Sequence, residues 1–172
     1  MNHSEREIAD LADPKLGQHF LVSPAKLSRL VAAAGIRPTD DVLEVGAGIG
    51  TVARELPRSR SLTLVELDKR FTGLLRQNVP HAKVMQGNAL DIVLEASFDV
   101  LIGNLPHAVT ASLLDLLPSL SFRAAVLAVA ESADLDSLGS RFSWSEIERV
   151  TGDDFLPPQP SVSRIVKVIP VG

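Results

Sequence analysis

A short apolar segment that ends in three closely spaced glycines constrains the fold of this chain more than any other feature. Residues 42–45 are mostly aliphatic and predict a buried strand. Gly46, Gly48 and Gly50 follow, and residues 51–56 predict a helix directly after them. A strand, a glycine turn and a helix are typical of nucleotide-binding α/β units, in which the bare backbone approaches a ligand. Such glycines also occur in simple tight turns, so the motif alone leaves both interpretations open.

Strands and helices alternate along most of the remaining sequence. Further strands are predicted at residues 61–65, 82–85, 98–102 and 123–129, and helices at residues 24–34, 69–78 and 109–117. The other segments are predicted as a frayed end or short helix (1–13), an ordered loop (14–24), a mostly helical region (131–150), an extended crossing (155–160) and an edge or antiparallel strand (163–169). This alternation predicts an α/β fold with a mostly parallel sheet and helices on both faces.

Polar residues follow several of the predicted strands. Glu66 lies 20 positions after Gly46, where nucleotide-binding units place the carboxylate that binds ribose hydroxyls. A Glu at a buried edge with no ligand is the alternative. Asn88 and Asn104 follow two further strands. Because the carboxyl ends of parallel strands share one edge of the sheet, we predict a site for an adenosine-type ligand there.

The segment Asn104-Leu105-Pro106-His107 indicates the chemistry of this site. An enzyme that methylates an exocyclic amine must bind a planar NH2 group and aim its nitrogen at a methyl donor. The Asn104 side-chain oxygen, with a carbonyl before or within the proline turn, can accept the two N–H bonds. A flat ring at position 107 can stack on an extruded base. A plain turn is the alternative, since Asn and Pro are common turn formers.

Composition excludes several classes of protein. The length of 172 residues suits one domain, and the absence of cysteine excludes disulfides, zinc-thiolate sites and thiol catalysis. The polar N-terminus and the lack of a long apolar stretch predict a cytoplasmic protein with no membrane span. The four histidines show no metal-ligand spacing, so we expect no metal. A net charge of −4 argues against nucleic-acid binding over the whole surface, although not against a local basic patch.

Six segments together resemble one family, the ribosomal RNA adenine N6-dimethyltransferases, which includes the small-subunit dimethyladenosine transferases and the macrolide-resistance methyltransferases. The segments are K-L-G-Q-H-F-L (15–21), E-V-G-A-G-I-G (44–50), V-E (65–66), G-N-A-L (87–90), G-N-L-P (103–106) and F-L-P-P (155–158). The resemblance covers the chain from about Pro14 to its end. It implies a Rossmann-like, S-adenosylmethionine-dependent methyltransferase fold, with a seven-stranded sheet whose last strand is antiparallel. We expect a single domain over residues 1–172, with residues 1–13 as a flexible N-terminus and without the family's C-terminal helical RNA-binding domain.

The resemblance also implies roles for individual residues. S-adenosylmethionine is the expected cofactor and S-adenosylhomocysteine the product. The implied catalytic residues are Asn104, Leu105, Pro106 and His107. The implied cofactor-binding residues are Gln18, His19, Leu21, Gly46, Gly48, Gly50, Glu66, Leu67, Asn88, Ala89 and Asn104.

Two residues depart from the family pattern. Asn88 stands where the family usually has Asp, which accepts a hydrogen bond from the adenine amine of the cofactor. His107 stands where the family has Tyr or Phe, and imidazole offers a smaller ring that can become charged. These departures, with the acidic balance and the expectation that the RNA-binding domain is absent, leave the acceptor open.

We expect an N-methyltransferase, and rRNA adenine N6-methylation is the first hypothesis. The chain would act as a monomer, with a basic patch or a helper protein to bind ribosomal RNA. A small-molecule N-methyltransferase and a catalytically inactive cofactor-binding or RNA-binding relative are the alternatives. The sequence leaves open which adenine is methylated and whether one or two methyl groups are added.

Overall fold

A computed structural model of the chain describes residues 5–172, with side chains from residue 7. The helices are α1 (Glu5–Leu11), α2 (Pro24–Ala34), α3 (Lys69–Asn78), α4 (Ala89–Glu95) and α5 (His107–Leu116). The strands are β1 (Phe20–Leu21), β2 (Asp41–Val45), β3 (Ser61–Glu66), β4 (Lys83–Gln86), β5 (Val100–Gly103), β6 (Ala124–Ala130), β7 (Phe142–Val150), β8 (Phe155–Leu156) and β9 (Ser163–Pro170). Part of the segment predicted as a frayed end or short helix therefore forms α1, and residues 1–4 lie outside the described residues.

Seven strands form one sheet in the order β4-β3-β2-β5-β6-β9-β7. The pairs from β4 to β6 are parallel, whereas β9 is antiparallel to both of its neighbours. The prediction of a mostly parallel seven-stranded sheet with an antiparallel last strand is confirmed. β9 lies inside the sheet, between β6 and β7, so its antiparallel direction was predicted correctly but its position is not at the edge.

Helices cover both faces of this sheet, as predicted. Leu43 and Leu101 point to one face, where they pack in a core with α4 and α5. Val42 and Val100, their neighbours along the same strands, point to the other face and pack with α2 and α3. The reversal at each successive residue follows from the two-residue period of a strand. Because both faces are buried, the central strands are apolar without polar alternation.

The helical prediction for residues 131–150 is wrong. Residues 136–141 form a 3-10 turn, and Phe142–Val150 is the edge strand β7, paired along β9 with a bulge between Glu146 and Glu148. The polar residues that suggested a helix lie largely on exposed parts of this edge strand. A strand of this kind is specified by its partner more than by its own sequence.

Three other segments also differ from the prediction. Residues 51–56 form turns and a short 3-10 segment rather than a helix, because Pro57 follows and forces Leu56 into an extended conformation. The predicted loop at 14–24 contains a 3-10 turn (Pro14–Leu16) and the strand β1. Helix α4 was not predicted, although its N-cap is Asn88, one of the predicted site residues.

The register of the sheet places the predicted site residues at one rim. Val45, the last residue of β2, lies opposite Val65 of β3 and Gly103 of β5. The short antiparallel pair of β1 and β8 anchors the chain after residue 19, with Phe20 opposite Leu156. The loop before β1 therefore lies over the carboxyl ends of the parallel strands, where ligands bind in open α/β sheets.

Candidate functional site

A cavity of about 410 Å³ opens at this rim. Its volume lies in the range typical of ligand sites, about 300–1,000 Å³. Most of the predicted site residues line it together: Gln18, His19, Gly46, Gly48, Glu66, Leu67, Asn88, Ala89, Asn104, Leu105 and Pro106. The parallel strands thus bring residues from five separate segments to one cavity, and their binding roles stay predictions.

The glycine turn after β2 forms one wall of the cavity. Gly46 and Gly48 adopt positive φ angles of 71° and 57°, which favour glycine. A Cβ on Gly46 would lie 2.4 Å from the Leu105 side chain, and a Cβ on Gly48 would lie 2.8 Å from the Phe20 ring. These glycines are required by backbone conformation and by close packing of neighbouring segments, in addition to any approach of a ligand.

Glu66 ends β3 with its carboxylate held in a fixed orientation. The backbone N–H of Gly48 donates to Oε2 and that of Asp68 donates to Oε1, both at 2.8 Å. Burial raises the pKa of this carboxyl, and the backbone donors oppose that rise. Each oxygen has a further lone pair, so the oriented carboxylate can also accept bonds from hydroxyls in the cavity.

Glu44 is a site residue that the sequence analysis missed. It lies in β2, lines the same cavity and is only 2% exposed. Burial, with the nearby charge of Glu66, raises the pKa of Glu44 to about 8. Its Oε2 is buried and has no hydrogen-bond partner among the described residues. A charged residue inside an otherwise apolar strand is the signal that could have identified it.

The loop before β1 is tied to the start of α3. The Gln18 side chain donates to Asp68 Oδ2 at 3.0 Å, and its Oε1 accepts from the Asp13 backbone N–H at 2.8 Å. The Arg70 guanidinium beside Asp68 holds the pKa of that carboxyl well below its usual range. Through these two hydrogen bonds, Gln18 holds the loop against α3 and closes one side of the cavity.

Asn88 caps helix α4 with the oxygen that was expected to accept from a ligand. Its Oδ1 accepts from the Leu90 backbone N–H at 2.9 Å. An N-cap oxygen of this kind satisfies an otherwise unpaired N–H at the helix start. The side-chain NH2, a donor only, has no partner among the described residues, so Asn88 has more donor than acceptor capacity to spare.

The corner formed by Asn104, Leu105 and Pro106 is the opposite wall of the cavity. The Asn104 side-chain amide has no hydrogen-bond partner in the described part of the chain. The Pro106 carbonyl already accepts from the backbone N–H groups of Val109 and Thr110, at 2.9 and 3.0 Å. Among the described residues, the Leu105 carbonyl accepts one long bond, 3.3 Å from Thr110 Oγ1. Of the two carbonyls near the proline, that of Leu105 is the more available acceptor.

Three predicted site residues do not line the cavity. Leu21 is the last residue of β1 and is buried in the core. Gly50 lies against Val79 and Leu75, so its position serves packing. His107 begins α5 directly after the corner, and its Nε2 lies 2.7 Å from the Ser163 hydroxyl. Ser163 gave no sequence signal, since it is separated from His107 by 56 residues.

Within residues 5–172, no helix is long and apolar enough to cross a lipid bilayer. The same part of the chain contains no group of three or more His, Asp or Glu side chains arranged to hold a metal ion. The polar side chains at the cavity include the carboxylates of Glu44 and Glu66 and the amides of Gln18, Asn88 and Asn104.

The sheet order, the antiparallel last strand and the cavity at the rim define the fold class of S-adenosylmethionine-dependent methyltransferases. The family model for ribosomal RNA adenine dimethylase matches residues 9–133. The chain therefore belongs to that family, and the resemblance described above is confirmed.

Individual relatives agree with this assignment. The chain is 30% identical to the ribosomal RNA small subunit methyltransferase A of Dehalococcoides mccartyi, over 90% of this chain and 61% of the relative. A dimethyladenosine transferase from Plasmodium falciparum has a similar structure, with a TM-score of 0.78 and 28% identity over 89% of this chain and 64% of that one. The 23S rRNA methyltransferase ErmE also reaches 0.78, with 25% identity over 89% and 70%. The chain thus spans about three fifths of the length of the first of these relatives.

Proposed function

We propose that this chain is the methyl-transferring core of an S-adenosylmethionine-dependent rRNA adenine N6-methyltransferase. One observation carries the proposal: a single cavity has the oriented Glu66 carboxylate on one wall and, on the other, an Asn104 amide that has no hydrogen-bond partner among the described residues. The first wall suits a cationic adenosyl cofactor and the second suits a planar amine. Membership of the family supports the choice of a ribosomal RNA adenine as the acceptor.

The cavity residues fit S-adenosylmethionine. The cofactor carries a positive sulfonium and a positive ammonium group, and the buried, unpaired Oε2 of Glu44 is a site where a cation would replace the missing partner. The Glu66 carboxylate would accept the two ribose hydroxyls, because its oxygens are already oriented by the Gly48 and Asp68 N–H groups. Leu67 and Ala89 offer apolar surface to an adenine ring beside Asn88.

The remaining predicted residues shape the cofactor site. His19 and Gln18 lie in the loop that covers the cavity, and the Gly46–Gly48 turn brings backbone close to its floor. Leu21 and Gly50 would act indirectly, by fixing that loop and that turn in the core. We propose no metal in this site, because the chemistry needs none.

When bound, S-adenosylmethionine supplies an activated methyl group that an acceptor nitrogen takes up with release of S-adenosylhomocysteine. The chain's own contribution is to bind and orient the amine. Asn104 Oδ1 and the Leu105 carbonyl would accept hydrogen bonds from the two N–H groups of the amine. These bonds would draw the nitrogen toward tetrahedral geometry and direct its lone pair at the methyl group. The product ammonium loses its proton to water, so no general base is required.

Methyl transfer to small-subunit ribosomal RNA tests the proposal directly. The substrate is ribosomal RNA purified from cells that lack its dimethyladenosines, with labelled S-adenosylmethionine as donor. We expect label in N6-methylated adenine after nuclease digestion, and none when fully dimethylated RNA is supplied. Binding of S-adenosylmethionine without label in RNA would reject the RNA acceptor and leave the cofactor site standing.

A small-molecule N-methyltransferase is the second candidate. The observation that favours it is the net charge of −4, since RNA binding depends on neutralising phosphates with Lys and Arg. Filter binding to ribosomal RNA at increasing salt separates the two candidates. A steep loss of binding with salt supports the RNA acceptor, and absent binding supports the small amine unless a helper protein restores it. A monomer in the cytoplasm would suit either candidate.

A further inference from the structure

Three polar side chains, His107 at the start of α5 and the neighbouring Gln159 and Ser163 far along the chain, form a continuous hydrogen-bonded chain beside the Asn104–Pro106 corner. His107 Nε2 lies 2.7 Å from the Ser163 hydroxyl, and the Gln159 side-chain nitrogen lies 2.7 Å from the same hydroxyl. Ser163 is 1% exposed, so water does not compete for its hydroxyl. The directions of these bonds can be worked out from the partners.

The Ser161 backbone carbonyl, which can only accept, fixes the direction of the first hydrogen bond in this network. The Gln159 side-chain nitrogen also lies 2.8 Å from the Ser161 backbone carbonyl, so the NH2 end of the amide must face both Ser161 and Ser163. The Ser163 oxygen therefore accepts a bond from Gln159. Its own hydrogen has one partner among the described residues, His107 Nε2. An Nε2 that accepts is unprotonated, so the neutral ring carries its hydrogen on Nδ1.

A second histidine nearby is held by the same crossing segment. His19, which lines the cavity, has Nδ1 2.9 Å from the Pro157 carbonyl, so that this nitrogen donates. Burial, and then the proximity of His19, lower the pKa of His107. Protonation of His107 would place an N–H on Nε2 and leave the buried Ser163 hydrogen without an acceptor. The hydrogen-bond geometry and the burial of the ring thus both favour the neutral form of His107.

We propose that Ser163 and Gln159 are positioning residues that hold His107 as a neutral, Nδ1–H imidazole beside the acceptor corner. The inference rests on the proposed function for its consequence and on the bond network for its geometry. A neutral ring can stack on an extruded base without charge, and the N–H that remains unpaired in the described part of the chain is on Nδ1. An imidazole thereby stands where the family has Tyr or Phe, and Ser163 and Gln159 fix the orientation of its ring and the position of its proton.

The tautomer of His107 is the first readout, and it needs no substrate. Long-range proton–nitrogen NMR spectra of the full chain, labelled at histidine nitrogens and assigned with His107→Phe, distinguish Nδ1–H from Nε2–H rings. We expect the Nδ1–H form in the wild type and a mixture rich in Nε2–H in Ser163→Ala. Ser163→Thr, which keeps the hydroxyl, restores the wild-type signal. An Nε2–H ring in the wild type, or an unchanged ring in Ser163→Ala, would overturn the assignment.

Kinetics with the RNA acceptor form the second readout. We expect Ser163→Ala to lower kcat/KM for the acceptor about tenfold, as one lost hydrogen bond would, with KM for S-adenosylmethionine changed by less than about twofold. The same substitution made in a His107→Phe chain should have no further effect. An equal loss in both backgrounds would show a general structural role and reject the proposal. Gln159→Leu, which leaves the buried strand intact, gives a smaller loss in the same direction.

Failure of the proposed function and failure of this inference are distinguishable. If the wild type transfers no methyl group to RNA, the function is rejected, while the NMR tautomer still decides the role of Ser163. If methyl transfer is present but the tautomer is Nε2–H, only the positioning role is rejected.

Discussion

The two walls of the cavity are built in different ways. The donor wall, defined as Glu44, Gly46, Gly48 and Glu66, comes from two adjacent parallel strands and the turn between them. The acceptor wall, defined as Asn104, Leu105 and Pro106, follows β5. His107 comes directly after it and is held by β9 and the crossing segment, far along the chain. The donor wall therefore comes from segments that are close together in sequence. The surroundings of the acceptor wall depend on contacts between segments that are far apart in sequence. This difference determines what substitutions on each wall should do.

Asn104→Ala on the acceptor wall should have the largest effect. Removal of the acceptor that orients the amine should lower kcat by about 10²–10³-fold, the cost typical of losing one positioned polar group in an active site. Labelled methyl transfer measures the loss, and calorimetry should show that S-adenosylmethionine still binds. Ser112→Ala, at an exposed position on helix α5 after the corner, is the control and should keep full activity. Full activity in Asn104→Ala would remove the role assigned to this residue.

Glu66→Gln on the donor wall should weaken cofactor binding rather than the chemical step. The amide keeps one oxygen but loses charge and one of the bonds that Gly48 and Asp68 donate. Loss of hydrogen bonds to a charged group should raise Kd for S-adenosylmethionine about 10²-fold, with kcat at saturation changed much less. Asp41→Asn, at the opposite end of the neighbouring strand, serves as a control for loss of one carboxylate. A changed kcat with unaltered Kd would contradict the division between the two walls.

Glu44→Gln should change how the protein responds to pH. The pKa of Glu44 is raised from its ordinary value of 4.5 to about 8. Between these values the folded protein holds a proton that the unfolded chain has released, so its free energy of unfolding falls as pH rises. Glu66 contributes in the same direction because burial also raises its pKa. Urea unfolding across this range should show a shallower decline in Glu44→Gln than in the wild type.

The same titration should appear in cofactor binding. A bound cation favours the ionised Glu44, so the wild type should release a proton on binding S-adenosylmethionine and bind more tightly as pH rises toward 8. Calorimetry in buffers of different ionisation enthalpy measures this proton. Glu44→Gln should lose that part of the pH dependence, and an identical proton release in both proteins would exclude Glu44 as its source.

Asn88→Asp should give the smallest effect, a gain in cofactor affinity of about threefold, within the range of a single surface hydrogen bond. One carboxylate oxygen would continue to cap Leu90, and the other would be able to accept from the adenine amine. Asn88→Ala is the comparison, since it loses the cap and should destabilise the fold by about 1 kcal/mol. Weaker binding in Asn88→Asp would show instead that the Asn88 NH2 group donates a hydrogen bond to the adenine.

Much of the donor wall could be predicted from the sequence. The strand at residues 42–45, the glycine turn and Glu66 at the end of the next strand lie close together along the chain, and each has a local signature. Glu44 was missed because it lies within the strand, whereas the sequence analysis looked for polar residues after the strand ends. The burial of its Oε2, without a hydrogen-bond partner among the described residues, is a property of the folded sheet that the sequence does not show.

The acceptor wall shows where local signals end. The segment 104–107 indicated an amine site, yet the sequence alone could not show that the Pro106 carbonyl is occupied by α5 while that of Leu105 is more available. The helical prediction for β7 failed because the alternation of Phe142 and Trp144 with serines is short and is interrupted by the bulge between Glu146 and Glu148. Its pairing with β9 overrides the local preference.

The sequence by itself determined the class of fold, the family and the segments that meet at the rim, because strand periodicity, glycine turns and strand-end polar residues are local properties. Only the tertiary structure decided which atoms remain free to act. Glu44 Oε2 is buried without a hydrogen-bond partner among the described residues, the Asn88 oxygen caps α4, and Ser163 contacts His107 across 56 residues. Hydrogen-bond partners and desolvation depend on segments distant along the chain, and for that reason they emerge only when the sheet is assembled.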